Sequence, residues 1–232
     1  MRTLAIGDIH GCARSLDALL AAVKPGPDDL VVALGDYVDR GPDSRGVLDR
    51  LISLHATGRV LPLLGNHDLM MMHAREWDEA GPVWLACGGE QTLTSYGSTS
   101  PRASDLRLVP QAHWDFLERA CVNWYETETH LFVHASVYPD LPMRDQPEAV
   151  LLWEKLSGPV AHVSGKVIVC GHTRQPGGVP VSWGTAVCID TGAYLEDGWL
   201  TCLDVNEGCY WQANEQGQLR AGWIDEEVSV GD

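Results

Sequence analysis

Apolar residues recur along this chain in two different periods. Short continuous runs, Thr3 to Ile6, Leu30 to Leu34 and Val60 to Leu64, read as strands buried on both faces. Between them the apolar positions take helical spacing: Leu16, Leu19, Leu20 and Val23, then Val47, Leu48, Leu51 and Ile52. Pro25-Gly26-Pro27 ends the first helix by removing donors and fixing φ, while Pro42 and Asp43 suit the start of the second near Asp43. The third run leads to Asn66 and a helix through Met70 to Trp77. Strand and helix in alternation predict a largely parallel sheet with helices packed against it.

The pattern then changes. Pro82 to Tyr96 reads as helix up to Gly97, and Pro110 to Ala120 as another. Beyond these the chain is strand-rich. Val122 to Thr127 and Leu131 to Val133 flank a turn, and Lys166 to Cys170, Thr185 to Ile189, Trp199 to Val205 and Cys209 to Ala213 follow at short intervals. These strands predict a second, mixed sheet facing the first. No Pro/Ser/Gly-rich linker divides the chain, so residues 1–232 read as one domain, with a polar, acidic tail over 215–232 that carries no motif. The fold class expected is α/β (α+β in some schemes), with two facing mixed sheets flanked by helices.

Composition narrows the partners. A formal net charge of -16 disfavours long nucleic acid and anionic membrane surfaces, but not a small anion held by metals and a local Arg. No apolar run is long enough to span a bilayer, and Met1-Arg2 leads straight into the first strand, so a cytoplasmic protein is expected. The 7 Cys residues include no Cys-x-x-Cys pair and read as reduced packing residues; Cys12, directly after the first motif, is the one whose oxidation would matter.

The chemistry sits where the first runs end. Gly7-Asp8-Ile9-His10-Gly11, Gly35-Asp36-Tyr37-Val38-Asp39-Arg40-Gly41 and Gly65-Asn66-His67-Asp68 each follow a strand. Two later runs behave alike: Leu131-Phe132-Val133 enters His134-Ala135-Ser136, and Val167 to Cys170 enters Gly171-His172. Open α/β sheets bind ligands at the carboxyl ends of their strands. Asp8, His10, Asp36, Asn66, His134 and His172 should therefore converge. Carboxylate, amide oxygen and imidazole suit Mn, Fe or Zn better than Ca. Asp36 is the natural bridge, with Asp8 and His10 completing one site and Asn66, His134 and His172 the other. Two cations clamp a phosphoryl group and lower the pKa of a shared water. His67 suits the acid for the leaving group, Asp39 its orienting partner, and Arg40 a planar fork for phosphate oxygens.

With these residues on the page, the chain resembles the calcineurin-like metallophosphoesterases, and among them the compact bacterial and phage serine/threonine phosphatases. The resemblance covers residues 1–195. It implies a four-layer sandwich, two divalent metal ions (Mn2+ foremost, with Fe, Zn or Mg open) and direct attack by hydroxide held between the metals. It assigns Asp8, His10, Asp36, Asn66, His134 and His172 as ligands, His67 as acid, Asp39 as its partner and Arg40 as phosphate clamp. The substrates it implies are phosphoserine and phosphothreonine in proteins, or a small phosphoester.

Three positions depart from the family pattern. The third motif ends in Asp68, where protein phosphatases more often carry Glu. The fourth reads His-Ala-Ser rather than His-Gly-Gly. The second phosphate-binding Arg falls at Lys155 within Leu151 to Lys155, with Arg144 and Arg174 as other candidates. Symmetrical diadenosine tetraphosphate hydrolases share the first and third motifs but usually lack the Asp of Asp-Arg-Gly. Asp39 thus argues for the phosphatase and Asp68 for the hydrolase. A metal-binding regulator without turnover is the remaining alternative. His55, His73, His113, His130 and His162 read as ordinary surface or core groups, Met70-Met71-Met72 as helix packing, and Trp84 as core or as a groove wall.

Overall fold

The computed structural model describes residues 1–224. Its first sheet contains β1 (Thr3–Ile6), β2 (Leu30–Ala33) and β3 (Val60–Pro62) in parallel, joined through α1 (Ala13–Val23) and α2 (Ser44–Ala56). The second sheet contains β4 (Trp124–Glu126), β5 (His130–Val133), β6 (Val167–Cys170), β7 (Val181–Ser182) and β8 (Ala186–Cys188), in the order β4-β5-β6-β8-β7. Its inner strands β5, β6 and β8 are parallel. Two mixed sheets flanked by helices agree with the expected fold class.

The continuous apolar runs exist because each strand is covered on both faces. In β1, Leu4 and Ile6 pack toward α1 and α2, while Ala5 points to the opposite sheet. In β5, Phe132 faces inward and meets Ala5, Val32, Leu34 and Val169 in the layer between the sheets. Its neighbours Leu131 and Val133 pack outward with Leu151 and Leu152 of α7 (Glu148–Trp153). Fully burying one such large side chain contributes about 1.5–3 kcal/mol, so the two sheets are held face to face mainly by this inner layer.

One expectation fails. The strands after β8 do not extend the second sheet. β9 (Leu200–Asp204), β10 (Cys209–Ala213) and β11 (Leu219–Trp223) return to the first, giving the order β11-β10-β9-β1-β2-β3. β9 pairs antiparallel with β1, Ala5 opposite Leu203. The physical reason is the open edge of β1: its other side is taken by β2, and β9 satisfies the remaining backbone groups. The tail is also more than an acidic appendage. Leu219–Trp223 is a paired edge strand, and the Glu215 carboxylate accepts the Ser15 N–H and hydroxyl at 2.9 and 3.0 Å. There it satisfies first-turn donors of α1 that Cys12 leaves uncapped. Residues 225–232 of the expected tail lie outside the described residues.

The middle helices are less regular than the sequence suggests. The segment read as one helix over 82–96 is α4 (Gly81–Trp84), a wide turn at Leu85–Gly89, and α5 (Glu90–Ser95). Gly88, at φ 118°, makes the break. Similarly, α6 (Gln111–Asp115) passes into a wide turn at Phe116–Ala120. The third helix, α3 (Asn66–Glu76), starts at Asn66 itself, so Asn66 and His67 stand in its first turn. Among the described residues no helix is long and apolar enough to cross a membrane.

Candidate metal centre

Strand ends from both sheets meet at one cleft of about 320 Å³, which Asp36, Asn66, His67, His172 and Asp190 line. Asp8 and His10 follow β1, Asp36 follows β2, and Asn66 and His67 follow β3. His134 follows β5 and His172 follows β6. The backbone must turn sharply to aim these side chains. Among the described residues, the non-glycine residues with positive φ are His10, Asp36, Asp39, Arg40 and His172, all in the site, and Lys24, which ends α1. Such conformations cost on the order of 1 kcal/mol or more each and persist where surrounding bonds enforce them.

Asp36 stands at the centre. Its Oδ2 lies 3.4 Å from His10 Nε2, and its Oδ1 lies 3.5 Å from His134 Nε2. Oδ1 also accepts the His67 N–H at 2.9 Å. Two groups of metal-ligand atoms share this carboxylate: His10, Asp36 and His67, and Asp36, His134 and His172. The second brings together Asp36, His134 and His172 of the expected second site, and Asn66 Oδ1 lies 2.9 Å from both imidazoles. In the first, His67 stands where Asp8 was expected. The Asp8 carboxylate accepts the His172 N–H at 3.0 and 3.1 Å and belongs to neither tight group.

The imidazole tautomers test whether the residues fit a cation. His134 Nδ1–H donates to the Leu34 carbonyl (2.9 Å), which leaves the Nε2 lone pair facing Asn66 Oδ1 at 2.9 Å. His172 Nε2–H donates to the Trp153 carbonyl (3.2 Å), which leaves Nδ1 facing the same oxygen at 2.9 Å. His10 Nδ1–H donates to Val38 (2.9 Å), and its Nε2 accepts from Arg40 Nη1 at 2.8 Å. Burial holds all these rings neutral: it pulls His10 down to about 3, His172 to about 4, and His134 below the usual imidazole range. Neutral nitrogens and an amide oxygen aiming lone pairs at one another repel unless a positive charge stands between them. Carbonyl-bonded imidazoles of fixed tautomer are also the usual support for metal-binding His. The donor set therefore fits divalent cations.

Buried negative charge says the same. Asp8, Asp36, Asp39, Asp68 and Asp190 are all buried in this region. Burial, with Asp190 and Asp36 nearby, pushes the Asp8 carboxyl well up. Burial likewise pushes Asp190 up to about 6. At Asp36 burial works in the same direction, but the His67 N–H that its Oδ1 accepts favours the charged carboxylate and helps to hold it low.

His67 Nδ1–H donates to Asp39 Oδ2 at 2.8 Å, so its Nε2 is turned away from Asp39. Arg40 also reaches the cleft, with its guanidinium 4.8 Å over the Tyr194 ring. Lys155 and Arg174 both line the cleft, and neither forms an ion pair among the described residues. Arg144 does not: its exposed side chain pairs with Asp145 at 3.6 Å beside a different pocket. Trp84 is not a groove wall but a buried residue whose Nε1–H reaches Asp39. Cys12 is buried, and burial pushes its thiol far above the reactive range. His113 and His162 are buried and satisfied, by Tyr96 and Asp49 in one case and by Leu141 and Ser164 in the other.

Asp68 faces away from the substrate cleft. Its Oδ1 accepts the Tyr37 and Val38 N–H groups at 2.9 and 3.3 Å, and its Oδ2 accepts that of Gly65 at 3.1 Å. It ties the second motif to the third. Asp68→Asn would set an NH2 against one of these donors, so a loss of about 1–3 kcal/mol is expected, read as a lower urea midpoint at unchanged m.

Asp190 and Tyr194 lie outside the motifs named from the sequence. Both line the cleft, and Tyr194 stands edge-on to His10 at 5.2 Å. Asp190 carried the usual signal, an apolar run (Val187-Cys188-Ile189) ending in a ligand-type side chain. Tyr194, in a loop without such a run, carried none.

Comparison with known proteins decides the family. The calcineurin-like phosphoesterase model matches residues 1–184. The chain belongs to this family. It is 36% identical over 175 residues to serine/threonine-protein phosphatase 2 of Escherichia coli, covering 72% of this chain and 77% of that one. It is 32% identical over 151 residues to serine/threonine-protein phosphatase 1 of Salmonella typhimurium, covering 65% and 62%. It is also 47% identical over 154 residues to the symmetrical bis(5'-nucleosyl)-tetraphosphatase of Pectobacterium carotovorum, covering 61% and 46%. The chain thus spans less than two thirds of the Salmonella and Pectobacterium proteins. A solved serine/threonine phosphatase from Saccharomyces cerevisiae shares the fold, with a TM-score of 0.61 at 16% identity over 99% of this chain and 82% of that one. Within this calcineurin-like phosphoesterase, the groups that could hold metal lie where the shared fold brings its strand ends together.

Proposed function

We propose that this protein is a metal-dependent phosphatase that hydrolyses phosphomonoesters, above all phosphoserine and phosphothreonine in proteins. The observation that carries the reading is the His67–Asp39 pair, 2.8 Å apart, beside a carboxylate shared by two groups of ligand atoms. The ligands in this reading are Asp8, His10, Asp36, Asn66, His134 and His172. Divalent cations, Mn2+ foremost, supply charge neutralisation and Lewis-acid activation of water when bound there. Arg40 holds the phosphoryl group with its planar fork, and Lys155 or Arg174, which line the same cleft, supplies a second positive charge. His67, its ring fixed by Asp39, presents Nε2–H to the leaving oxygen and protonates it as the ester bond breaks. Relatives named as serine/threonine phosphatases support this substrate class.

Hydrolysis of symmetrical dinucleoside tetraphosphates is the second reading, favoured by the tetraphosphatase relatives. Asp68, which distinguishes the two groups in sequence, binds backbone N–H groups here and carries no substrate argument.

The test is one metal-stripped preparation reloaded with Mn2+ and assayed on a phosphothreonine peptide and on diadenosine tetraphosphate. His67→Asn serves as the contamination control. Faster phosphate release from the peptide is expected; preferential cleavage of the dinucleotide to ADP would establish the second reading.

A further inference from the structure

The segment that runs from α4 through the wide turn into α5 reaches the site at three points. Trp84, Gly88 and Thr92 are spaced four apart and meet the turn that carries Asp39 and Arg40. Trp84 Nε1–H donates to both carboxylate oxygens of Asp39, at 3.0 and 3.1 Å. The Thr92 hydroxyl donates to Asp39 Oδ1 at 2.8 Å and accepts the Asp39 N–H at 2.8 Å. The Gly88 carbonyl accepts the Arg40 N–H at 3.2 Å. A Cβ on Gly88 would stand 2.6 Å from that nitrogen, and one on Gly89 would stand 2.5 Å from the Trp84 indole. Both glycines are needed for the approach.

These bonds do more than fill the core. Asp39 and Arg40 are consecutive non-glycine residues with φ of 74° and 68°, and the bonded N–H groups hold that turn. The Asp39 side chain is completely buried. Without the indole and the hydroxyl, its Oδ1 would have no donor, and the carboxylate would be free to rotate away from His67. Ser44 Oγ, 3.0 Å from Thr92 Oγ1, closes the network from α2.

We propose that Trp84 and Thr92 are positioning residues that lock the Asp39 carboxylate, and through it aim the ring of His67 at the leaving group. The inference rests on the reading of His67 as the proton donor. A residue that aims an acid affects a reaction in proportion to how much its leaving group needs the proton.

Thr92→Val, Thr92→Ser and Trp84→Phe are compared with His67→Asn in the metal-loaded full chain. Each is assayed on a phosphoserine peptide and on an activated aryl phosphate, with metal content and melting temperature measured in parallel. Thr92→Val and Trp84→Phe should lower kcat on the peptide by about 10–100-fold, since a small misplacement of a reacting group can cost 10²-fold. The aryl phosphate should lose no more than about threefold because its leaving group hardly needs the proton. KM and metal content should hold, and Thr92→Ser should recover most of the loss. Equal losses on both substrates, or Thr92→Ser no better than Thr92→Val, would overturn the positioning role. If His67→Asn is selective for the peptide while Thr92→Val and Trp84→Phe match the native chain, the brace fails and the acid reading stands. If His67→Asn itself loses equally on both substrates, the acid reading falls and this inference falls with it.

Discussion

His67→Asn is expected to keep its fold and its metal and to lose turnover by about 10²–10⁴-fold on phosphoserine, the usual contribution of a general acid. Asn retains a polar group of similar reach in the first turn of α3, and the backbone N–H that meets Asp36 is untouched. What disappears is the transferable proton. A serine alkoxide is a very poor leaving group and needs that proton in the transition state; an activated aryl oxide departs nearly unaided. The deficit should therefore shrink steeply as the leaving-group pKa falls across a series of aryl phosphates. A flat series, with phosphoserine no worse than the most activated ester, would remove His67 from the acid role.

Asp36→Asn should fail earlier in the chemistry. The carboxylate places one oxygen toward His10 and the other toward His134, so it is the element common to both groups of ligand atoms. An amide keeps the shape, loses the negative charge, and turns one coordinating oxygen into an NH2. Loss of a residue that merely supports a metal ligand costs about 10–100-fold in affinity, and loss of the shared carboxylate should cost at least that. Metal per chain, measured after dialysis at fixed free Mn2+, should fall sharply for both sites together. Undiminished metal content would show that Asp36 is not the bridge.

Much of this was legible in the chain. A continuous apolar run followed by Gly-Asp, Gly-Asn or a lone His marks a strand buried on both faces that ends in an open cleft. Five strands of this kind place Asp8, Asp36, Asn66, His134 and His172 at one edge of the sandwich. The same rule applied once more, to Val187 through Asp190, would have found the buried carboxylate at the end of β8. Two things were not legible. Strand pattern does not tell which sheet a strand joins, so the return of β9 to β1 depended on an edge that only the assembled sheet reveals. Nor does it tell which core residue spends its polar atom on the site. Trp84 and Thr92 look like helix packing until the break at Gly88 brings them against Asp39.

The order of strands has a consequence for how the molecule is born. β1 is made long before β9, yet it lies between β2 and β9, pairing with Cys202, Leu203 and Asp204 of the latter. The ligand-bearing loops are likewise divided between a group complete at His67 and a group complete only at His172. A nascent chain emerging from the ribosome therefore carries half a cleft, with one long side of β1 uncovered, until β6 and β9 have followed. Closing contacts of such wide separation slows folding. Throughout synthesis the open flank of β1 is the place where a chaperone or a wrong strand would first bind.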